Sequence, residues 1–170
     1  KTKYVMATNE GSAVSIGIGN YLSTKKISCV YLQNSGLGNA INPLISIAHN
    51  KVYSIPILLI IGWRGSPNRK DEPQHMVKGK ITTHLLKLLD INYCILRNKK
   101  DLKKLDKLIK NAYRTKKAVA CLVENDVLKV TKEYSQTKKK LIFPYRKDFI
   151  LKLLKEISDN TKIISTTGYT

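Results

Sequence analysis

Five nearly continuous apolar runs alternate with helix-type patterns along this 170-residue chain, and this alternation constrains the fold most strongly. The runs occupy residues 4–8, 27–33, 55–63, 92–97 and 118–124. Runs without a polar face are typical of strands buried on both sides in a parallel sheet. We therefore expect an α/β fold, a doubly wound parallel sheet with helices on both faces.

The segments between and after these runs predict helices and a change of domain. Helical spacing is found at residues 10–22, 39–49, 79–89 and 101–114. The polar stretch 133–140 has no core pattern and predicts a linker, followed by an amphipathic helix at 145–158 and a strand at 162–166. We expect a domain at 1–133, a linker at 134–144 and the start of a second domain at 145–170. Because the chain begins at Lys1 and stops as a turn begins, we also expect both ends to be cut.

The charge of the chain, +19 from 31 Lys and Arg against 12 Asp and Glu, raises the possibility of a nucleic-acid or anionic partner. Most of the excess lies at 99–117, 129–140 and 147–155, where lysines alternate with Leu and Ile or fill a polar stretch. This distribution favours a solvated lysine face over a nucleic-acid surface. A basic α/β nucleic-acid-binding module remains the remote alternative.

The cysteines and the apolar runs indicate the compartment. Cys29, Cys94 and Cys121 are far apart and lie within apolar runs, so we expect small core hydrophobes rather than disulfides or metal ligands. The longest apolar run is far short of the ~20 residues of a membrane span, and no signal peptide is visible. These features predict a soluble, cytoplasmic protein with no membrane partner.

Ligands of open parallel sheets bind beyond the carboxyl ends of the strands, which directs attention to the loops after the first two predicted strands. In "TNEGSA", Glu10 stands where a strand turns into a helix; alternatively, Asn9 caps the helix and Glu10 merely favours its positive end. In "QNSGLGNA", Gly36 and Gly38 suggest a close approach to the backbone, although an ordinary glycine turn is the alternative. The chain lacks both a full dinucleotide fingerprint and a P-loop.

The loop after the third predicted strand carries the most chemistry. Trp63 and Arg64 stand at the strand end, and an arginine there suits a phosphonate, phosphate or sulfonate. A surface loop with scattered charges is the alternative. His75 is the only histidine in a candidate site loop, whereas we expect His49 and His84 to be structural. The remaining polar residues of this long connection are Asp71, Glu72 and Gln74.

Four segments, taken in order, resemble the phosphonopyruvate decarboxylases, which are thiamine diphosphate enzymes. They are "NEGSAVSIGIGNYLSTKK", "VYLQNSGLGNAINPLISIAHNKVYSIPILLIIGWRG", "DEPQH" and the terminal "ISTTG". The "NEG", "SGLGN" and "WRG" elements are similar in the alpha subunit of sulfopyruvate decarboxylase, and "DEPQH" favours the phosphonate enzyme. The resemblance covers almost the whole chain.

The resemblance implies that residues 1–133 are most of a pyrimidine-binding domain without its opening segment, and that 145–170 begin a diphosphate-binding domain. The family motif for metal and diphosphate is absent, so Mg²⁺ would be held by the missing domain. Glu10 matches the glutamate that engages the cofactor pyrimidine, although the sequence leaves the direction of its pKa shift open. The implied cofactor-binding residues are Glu10, Asn34, Ser35, Gly36, Leu37, Gly38 and Asn39.

The implied reaction is decarboxylation of 3-phosphonopyruvate to phosphonoacetaldehyde and carbon dioxide, in phosphonate biosynthesis. Glu10 and His75 would be catalytic, and Trp63, Arg64 and Gln74 would bind the substrate. The chain would supply half of an active site, completed by the diphosphate-binding domain of a partner subunit in a homo-oligomer. The alternative is a sulfopyruvate decarboxylase alpha subunit, against which the predicted start of a further domain speaks.

Overall fold

A computed structural model describes residues 4–67, 69–128, 145–158 and 160–161. The chain divides into two compact units, Lys1–Lys129 and Val130–Thr170, and each is described by itself. The predicted linker at 134–144 and the predicted strand at 162–166 lie outside the described residues.

The first unit is built on a parallel sheet of four strands, as the continuous apolar runs predict. The order across the sheet is β1-β2-β4-β3, and each neighbouring pair is parallel. Strand β4 is buried along its whole length, which explains its unbroken apolar sequence. The strands are β1 (Ser28–Gln33), β2 (Ile57–Gly62), β3 (Asn92–Leu96) and β4 (Val119–Val123).

Four helices of the first unit connect or precede these strands, and a fifth forms the described part of the second unit. A 3₁₀ turn, Asn34–Gly36, leads into α2, and a π-helical turn, Leu44–Ala48, follows it. Another 3₁₀ turn, Lys99–Asp101, leads into α4. The helices are α1 (Glu10–Thr24), α2 (Leu37–Pro43), α3 (Pro73–Leu88), α4 (Leu102–Thr115) and α5 (Arg146–Glu156).

Helices cover both faces of the sheet, which confirms the doubly wound α/β prediction. Helices α1, α2 and α3 bury Val14, Leu37 and Leu86 in the larger core. On the other face Leu105 of α4 packs with a smaller cluster that includes Cys121, and burial raises the pKa of that thiol to about 12. The outer face of α4 is exposed, with Lys103, Lys104, Lys107 and Lys110 in solvent.

Two expectations about apolar segments are wrong. Residues 4–8 form no strand, and Tyr4, Val5 and Met6 are 82%, 72% and 84% exposed. Within the described part of the chain no strand pairs with them, and apolar content without a ladder partner does not make a strand. Cys29 is exposed rather than buried, because α4 covers its side of the edge strand β1 only in part.

Two predicted loops are largely helical. The segment from Asn34 to Asn39 forms a 3₁₀ turn and the first turn of α2. Helix α3 begins at Pro73 rather than Gly79, so Gln74 and His75 lie in its first turn. Proline suits the first helical position, and the polar residues after it lack the apolar period by which helices are found in sequence.

None of the helices in the described ranges combines the length and apolar character needed to cross a membrane.

Candidate functional site

The residues that follow the four strands stand in one row at the carboxyl edge of the sheet. Gln33 pairs with Gly62, while Gly62 and Leu96 both pair with Val123. Adjacent strands lie about 4.8 Å apart, so the row from β1 to β3 spans about 14 Å. Its members, in sheet order, are Asn34, Trp63, Glu124 and Arg97.

Glu10 lies where the N-terminus of α1 meets the N-terminus of α2. Asn9 caps α1, because its side-chain oxygen accepts from the backbone N–H of Ser12 at 2.9 Å. The Oε2 atom of Glu10 accepts a hydrogen bond of 2.9 Å from Nδ2 of Asn39. Helix capping and a directed carboxylate contact are therefore both present.

The contact between these two helix ends depends on glycines. A Cβ atom at Gly36 would collide with the carboxyl group of Glu10, and one at Gly11 would lie 2.7 Å from the backbone oxygen of Asn39. Gly38, by contrast, has nothing within 4 Å of a Cβ position. Gly36 is thus the glycine of "SGLGN" that the carboxylate requires.

Hydrogen bonds set the charge state of Glu10. The bond from Asn39 lowers the pKa of the carboxyl group most, its own backbone N–H lowers it further, and partial burial raises it less. The direction that the sequence left open is therefore downward. Glu10 is a partly exposed carboxylate, ionised at neutral pH, that presents hydrogen-bond acceptors at the carboxyl edge of the sheet.

The predicted cofactor residues after β1 fall into two groups. Asn34 is 6% exposed: its Nδ2 donates to the Arg64 carbonyl at 2.9 Å and to Oγ1 of Thr82 at 3.0 Å. Its Oδ1 accepts from the backbone N–H of Arg64 at 3.1 Å, so this amide ties β1, β2 and α3 together. The side chain of Leu37 is in the core. The exposed members are Ser35, Gly38 and Asn39.

The side chain of Trp63 is buried at the carboxyl edge of the sheet. It is 3% exposed, and its indole N–H donates to the Gly79 carbonyl at 3.0 Å. Its backbone N–H donates to the carbonyl of Val123 at 2.8 Å, which extends the β2–β4 pairing by one residue. The structure therefore places this predicted substrate residue inside the protein, packed against α3.

A buried carboxylate, Asp71, holds the guanidinium group of Arg64. Nε of Arg64 lies 2.9 Å from Oδ2, and Nη2 lies 2.6 Å from Oδ1, while the Asp71 side chain is only 3% exposed. Asp71 also accepts from the backbone N–H groups of Gly65 and Glu72. The Arg64 hydrogen bond is the main cause that holds the pKa of Asp71 far below its ordinary value of 3.8.

The same carboxylate orients His75. Nδ1 of His75 lies 3.0 Å from Oδ1 of Asp71, and the imidazole is 12% exposed. When Nδ1 carries the proton toward the carboxylate, Nε2 is the basic nitrogen of the ring. We call Arg64, Asp71 and His75 the Asp71 cluster. Sequence reasoning noted Asp71 but gave it no role, since its partners are seven and four residues away.

Close backbone contacts between the loop after β2 and α3 bring the Asp71 cluster together. Gly65 has φ of +67°, and a Cβ atom there would strike the carbonyl of His75. A Cβ atom at Gly79 would likewise strike the carbonyl of Gly65. Gln74, in the same first turn of α3, is exposed and donates from Nε2 to Glu72 at 2.7 Å.

Among the described residues no three His, Cys, Asp or Glu side chains are grouped so as to hold a metal ion. Asp71 instead pairs with Arg64 and His75 and accepts from backbone N–H groups. The predicted acid–base residues thus lie on the β1 side, at Glu10, and on the β2 side, in the Asp71 cluster.

Comparison with known proteins identifies the family. Residues 1–87 match the family described as thiamine pyrophosphate enzyme, N-terminal TPP binding domain. A phosphonopyruvate decarboxylase of Streptomyces viridochromogenes is 42% identical over 100 residues, which are 59% of this chain and 24% of that protein. Its counterpart from Streptomyces hygroscopicus is 41% identical over the same shares. The match thus spans about a quarter of the length of these two relatives.

A shorter relative is matched over most of its length. The sulfopyruvate decarboxylase subunit alpha of Methanothermobacter thermautotrophicus is 31% identical over 122 residues, 71% of this chain and 72% of that protein. The family match, the parallel α/β fold and the carboxylate at the carboxyl edge agree with one another. The chain belongs to the thiamine pyrophosphate enzymes, and residues 1–87 lie in their N-terminal TPP-binding domain.

Proposed function

We propose that this chain supplies the pyrimidine-side half of the active site of a thiamine diphosphate-dependent decarboxylase. The substrate we propose is 3-phosphonopyruvate, converted to phosphonoacetaldehyde and carbon dioxide in phosphonate biosynthesis. The observation that carries the proposal is the ionised Glu10 carboxylate, held by Asn39 beside Gly36 at the carboxyl edge of the sheet. The names of the two Streptomyces relatives support this substrate.

The residues around Glu10 fit the aminopyrimidine of the cofactor. A carboxylate with free acceptor capacity suits a ring nitrogen, and the absence of a side chain at Gly36 leaves room for that carboxylate. Asn39 fixes its direction through Oε2. When bound, thiamine diphosphate supplies the electron sink that decarboxylation of a 2-oxo acid requires. The task of Glu10 is to hold the ring nitrogen and share a proton with it.

The Asp71 cluster is suited to the substrate. The reaction breaks the bond between the carboxylate and the carbonyl carbon, releases carbon dioxide and puts one proton on that carbon. The Nε2 atom of His75 is placed to carry a proton, because Asp71 holds Nδ1. Arg64 contributes positive charge for the phosphonate, and Gln74 lies exposed one residue before His75. Trp63 acts indirectly, as packing beneath them.

The rest of the proposed active site lies outside the pyrimidine-binding domain. We propose that the diphosphate-binding domain of a partner subunit holds the diphosphate and Mg²⁺, in a homo-oligomeric cytoplasmic enzyme. Thiamine diphosphate would then lie between two domains, with Glu10 on the pyrimidine side.

Sulfopyruvate is the second candidate substrate. The name of the Methanothermobacter relative supports this substrate. A sulfonate, like a phosphonate, is a tetrahedral oxyanion that a guanidinium group can bind. In this case the chain would act as an alpha subunit beside a separate partner chain.

The test is a parallel assay of aldehyde formation from phosphonopyruvate, sulfopyruvate and pyruvate. It uses the complete polypeptide encoded by the reading frame of this sequence, with thiamine diphosphate and Mg²⁺. We expect phosphonopyruvate to give the highest kcat/KM. Preference for sulfopyruvate would replace the substrate and retain the role of Glu10, whereas no cofactor-dependent turnover on any substrate would contradict the proposal.

The role of Glu10 is tested in the same assay with Glu10→Gln. We expect turnover to fall by about 10²- to 10⁴-fold, since the neutral amide cannot share a proton with the ring nitrogen. The matched control is Glu156→Gln, an exposed glutamate of α5. Circular dichroism should show the native fold for both variants. Retained turnover in Glu10→Gln would remove Glu10 from the mechanism.

A further inference from the structure

A third group of charged side chains lies at the carboxyl edge, between β4 and β3, and has no part in the proposed function. Glu124 follows β4 and its side chain is 2% exposed. Oε1 accepts from Nε of Arg97 at 2.9 Å, and Oε2 lies 3.7 Å from Nε of Arg69. The two arginine side chains are 43% and 46% exposed. We call these three residues the Glu124 cluster.

The Glu124 cluster carries one more positive charge than burial of its carboxylate requires. A buried carboxylate needs a single paired cation to offset its desolvation. Here one carboxylate faces two guanidinium groups, and the neighbouring acid, Asp101, is paired with Lys104 at 2.7 Å. The cluster therefore has a net charge of +1 at neutral pH.

Each of the two arginines approaches Glu124 through its Nε atom. Both contacts use Nε, and the structure records no hydrogen bond from the Nη atoms of Arg69 or Arg97 to any described residue. A guanidinium group fixed at Nε presents its remaining N–H donors in a set direction, which is the arrangement that binds tetrahedral oxyanions. The hydrogen bond to Glu124 holds the Arg97 guanidinium group in place, whereas Arg69, at 3.7 Å, pairs with the same carboxylate by charge alone.

A buried hydroxyl group without a hydrogen-bond partner lies in the loop that carries Arg69. Ser66 lies in the same loop as Arg69, whose backbone N–H donates to the Ser66 carbonyl at 3.1 Å. Its Oγ is the one buried side-chain polar atom without a hydrogen-bond partner among the described residues, and Ser66 is 1% exposed. A buried hydroxyl left unpaired costs about 1–3 kcal/mol, so a further hydrogen bond to Ser66 Oγ would be favourable.

We propose that Arg69 and Arg97, anchored by Glu124, form an anion site for a tetrahedral oxyanion such as phosphate, phosphonate or sulfonate. The position supports it, because Arg97 and Glu124 stand in the row of residues that follows the strands. Ligands of open parallel sheets bind beyond this edge. About two strand spacings, roughly 10 Å, separate the backbone of Arg97 from that of Trp63.

The binding test uses the 170-residue chain with inorganic phosphate and no cofactor or turnover. Isotope-labelled arginine Nε–Hε signals are followed by NMR as phosphate replaces chloride at constant ionic strength. We expect saturable shifts at Arg69 and Arg97, and about tenfold weaker binding in Arg97→Lys and in Arg69→Gln, because each loses fork donors. Arg97→Lys retains a cation beside Glu124 and so protects the fold.

The matched control is Arg114→Gln on α4, which removes the same charge away from the cluster and should change phosphate affinity by less than about twofold. Equal weakening in Arg114→Gln, or shifts that chloride reproduces, would mean general charge attraction and would overturn the anion site. So would unchanged affinity in both cluster variants. Because this experiment needs no catalysis, its result is independent of the proposed function.

The source of the oxyanion is distinguished in the complete polypeptide, and this step rests on the proposed function. If the occupant is the phosphonate of the substrate, Arg97→Lys raises KM with little change in kcat, and phosphate inhibits competitively. If the occupant is a free anion, phosphate changes kcat and Arg97→Lys abolishes that effect. If Arg97→Lys changes neither KM nor the response to phosphate, the result contradicts the anion site.

Discussion

Gly36 and Gly38 occupy the same glycine-rich segment, yet the structure gives them different tasks. A Cβ atom at Gly36 would occupy the space of the Glu10 carboxyl group, whereas a Cβ atom at Gly38 meets nothing within 4 Å. The obstacle at Gly36 is the end of a flexible side chain, which can turn away at little cost to folding. Substitution at Gly36 should therefore damage the site while sparing the fold.

Gly36→Ala and Gly38→Ala make a matched pair for this prediction. We expect Gly36→Ala to lower cofactor-dependent turnover by about tenfold or more, because Glu10 is displaced from Asn39 and from the ring nitrogen. Gly38→Ala should leave turnover unchanged and stabilise α2 by about 0.5–1 kcal/mol. Turnover and urea unfolding measured on both variants check the pair, and equal activity would contradict the placement of Glu10.

Asp71 concentrates more hydrogen bonds than any catalytic candidate near it, so its charge should matter for stability. Asp71→Asn removes the buried negative charge that pairs with Arg64, and we expect a loss of about 3 kcal/mol in the free energy of unfolding at pH 7. Because the folded-state pKa of Asp71 is lowered, its stabilisation is present above the ordinary value of 3.8 and is lost as pH falls below it.

The check on Asp71 is urea unfolding of wild type and Asp71→Asn between pH 7 and pH 3. The difference between them should be largest at neutral pH and should narrow below about pH 4. Asp106→Asn, at an exposed position of α4, serves as the control and should cost less than about 0.5 kcal/mol. A difference that stays constant with pH would contradict an ionised, hydrogen-bonded Asp71.

At the scale of elements, the junction between β2 and α3 decides whether the Asp71 cluster forms. A Cβ atom at Gly79 of α3 would strike the backbone carbonyl of Gly65, and backbone cannot move aside as a side chain does. We expect Gly79→Ala to lower the free energy of unfolding by more than about 2 kcal/mol. Gly19→Ala, on the open face of α1, should raise it by about 0.5–1 kcal/mol. Urea unfolding compares the two, and a stabilised Gly79→Ala would contradict the close contact.

The same junction shows where sequence reasoning succeeds and where it stops. The four strands were predictable because each is a nearly continuous apolar run, although only β4 is buried along its whole length and β1 is exposed on one face. The start of α3 was not, because its first turn is polar and its approach to β2 is set by the left-handed Gly65. Residues 4–8 show the converse: an apolar run predicts a strand only where another strand pairs with it.

The site residues also divide into those that could be predicted from the sequence and those that could not. Glu10 was identified from its place before a helix and its match to a family motif, and the structure adds the Asn39 bond and the role of Gly36. The inward positions of Trp63 and Asn34 were not visible in sequence, since both stand at strand ends where a ligand contact is equally plausible. Burial of a side chain distinguishes a structural role from a ligand contact, and the burial of Trp63 and Asn34 depends on packing against α3.

At the scale of the whole molecule, the sheet places three charged groups along one edge. Glu10 lies at the β1 side, the Asp71 cluster after β2, and the Glu124 cluster after β4 and β3. Each step across the sheet is about 4.8 Å, so the three groups lie within the span of a cofactor and a small substrate. In the Asp71 cluster and in the Glu124 cluster, arginines pair with a buried carboxylate. This pairing restricts the positions of the positive charge at this edge.

The net charge of +19 is a property of the whole molecule that this edge does not explain. On α4, Lys103, Lys107 and Lys110 are exposed to solvent, while Lys104 pairs with Asp101 at 2.7 Å. A dispersed lysine face contacts few phosphates of a duplex at once. Non-specific DNA affinity should therefore depend weakly on salt compared with that of a nucleic-acid-binding module.

We expect the affinity of the 170-residue chain for a duplex to fall by about tenfold between 50 and 200 mM salt, as contact with about two phosphates requires. A dedicated module that contacts 6–10 phosphates would lose about 10³–10⁵ over the same range. Fluorescence anisotropy with a labelled duplex measures the slope. The triple variant Lys103→Gln, Lys107→Gln, Lys110→Gln should change that slope by less than one phosphate contact if α4 is only a solvated face. A steep slope that this variant flattens would instead identify α4 as a nucleic-acid surface.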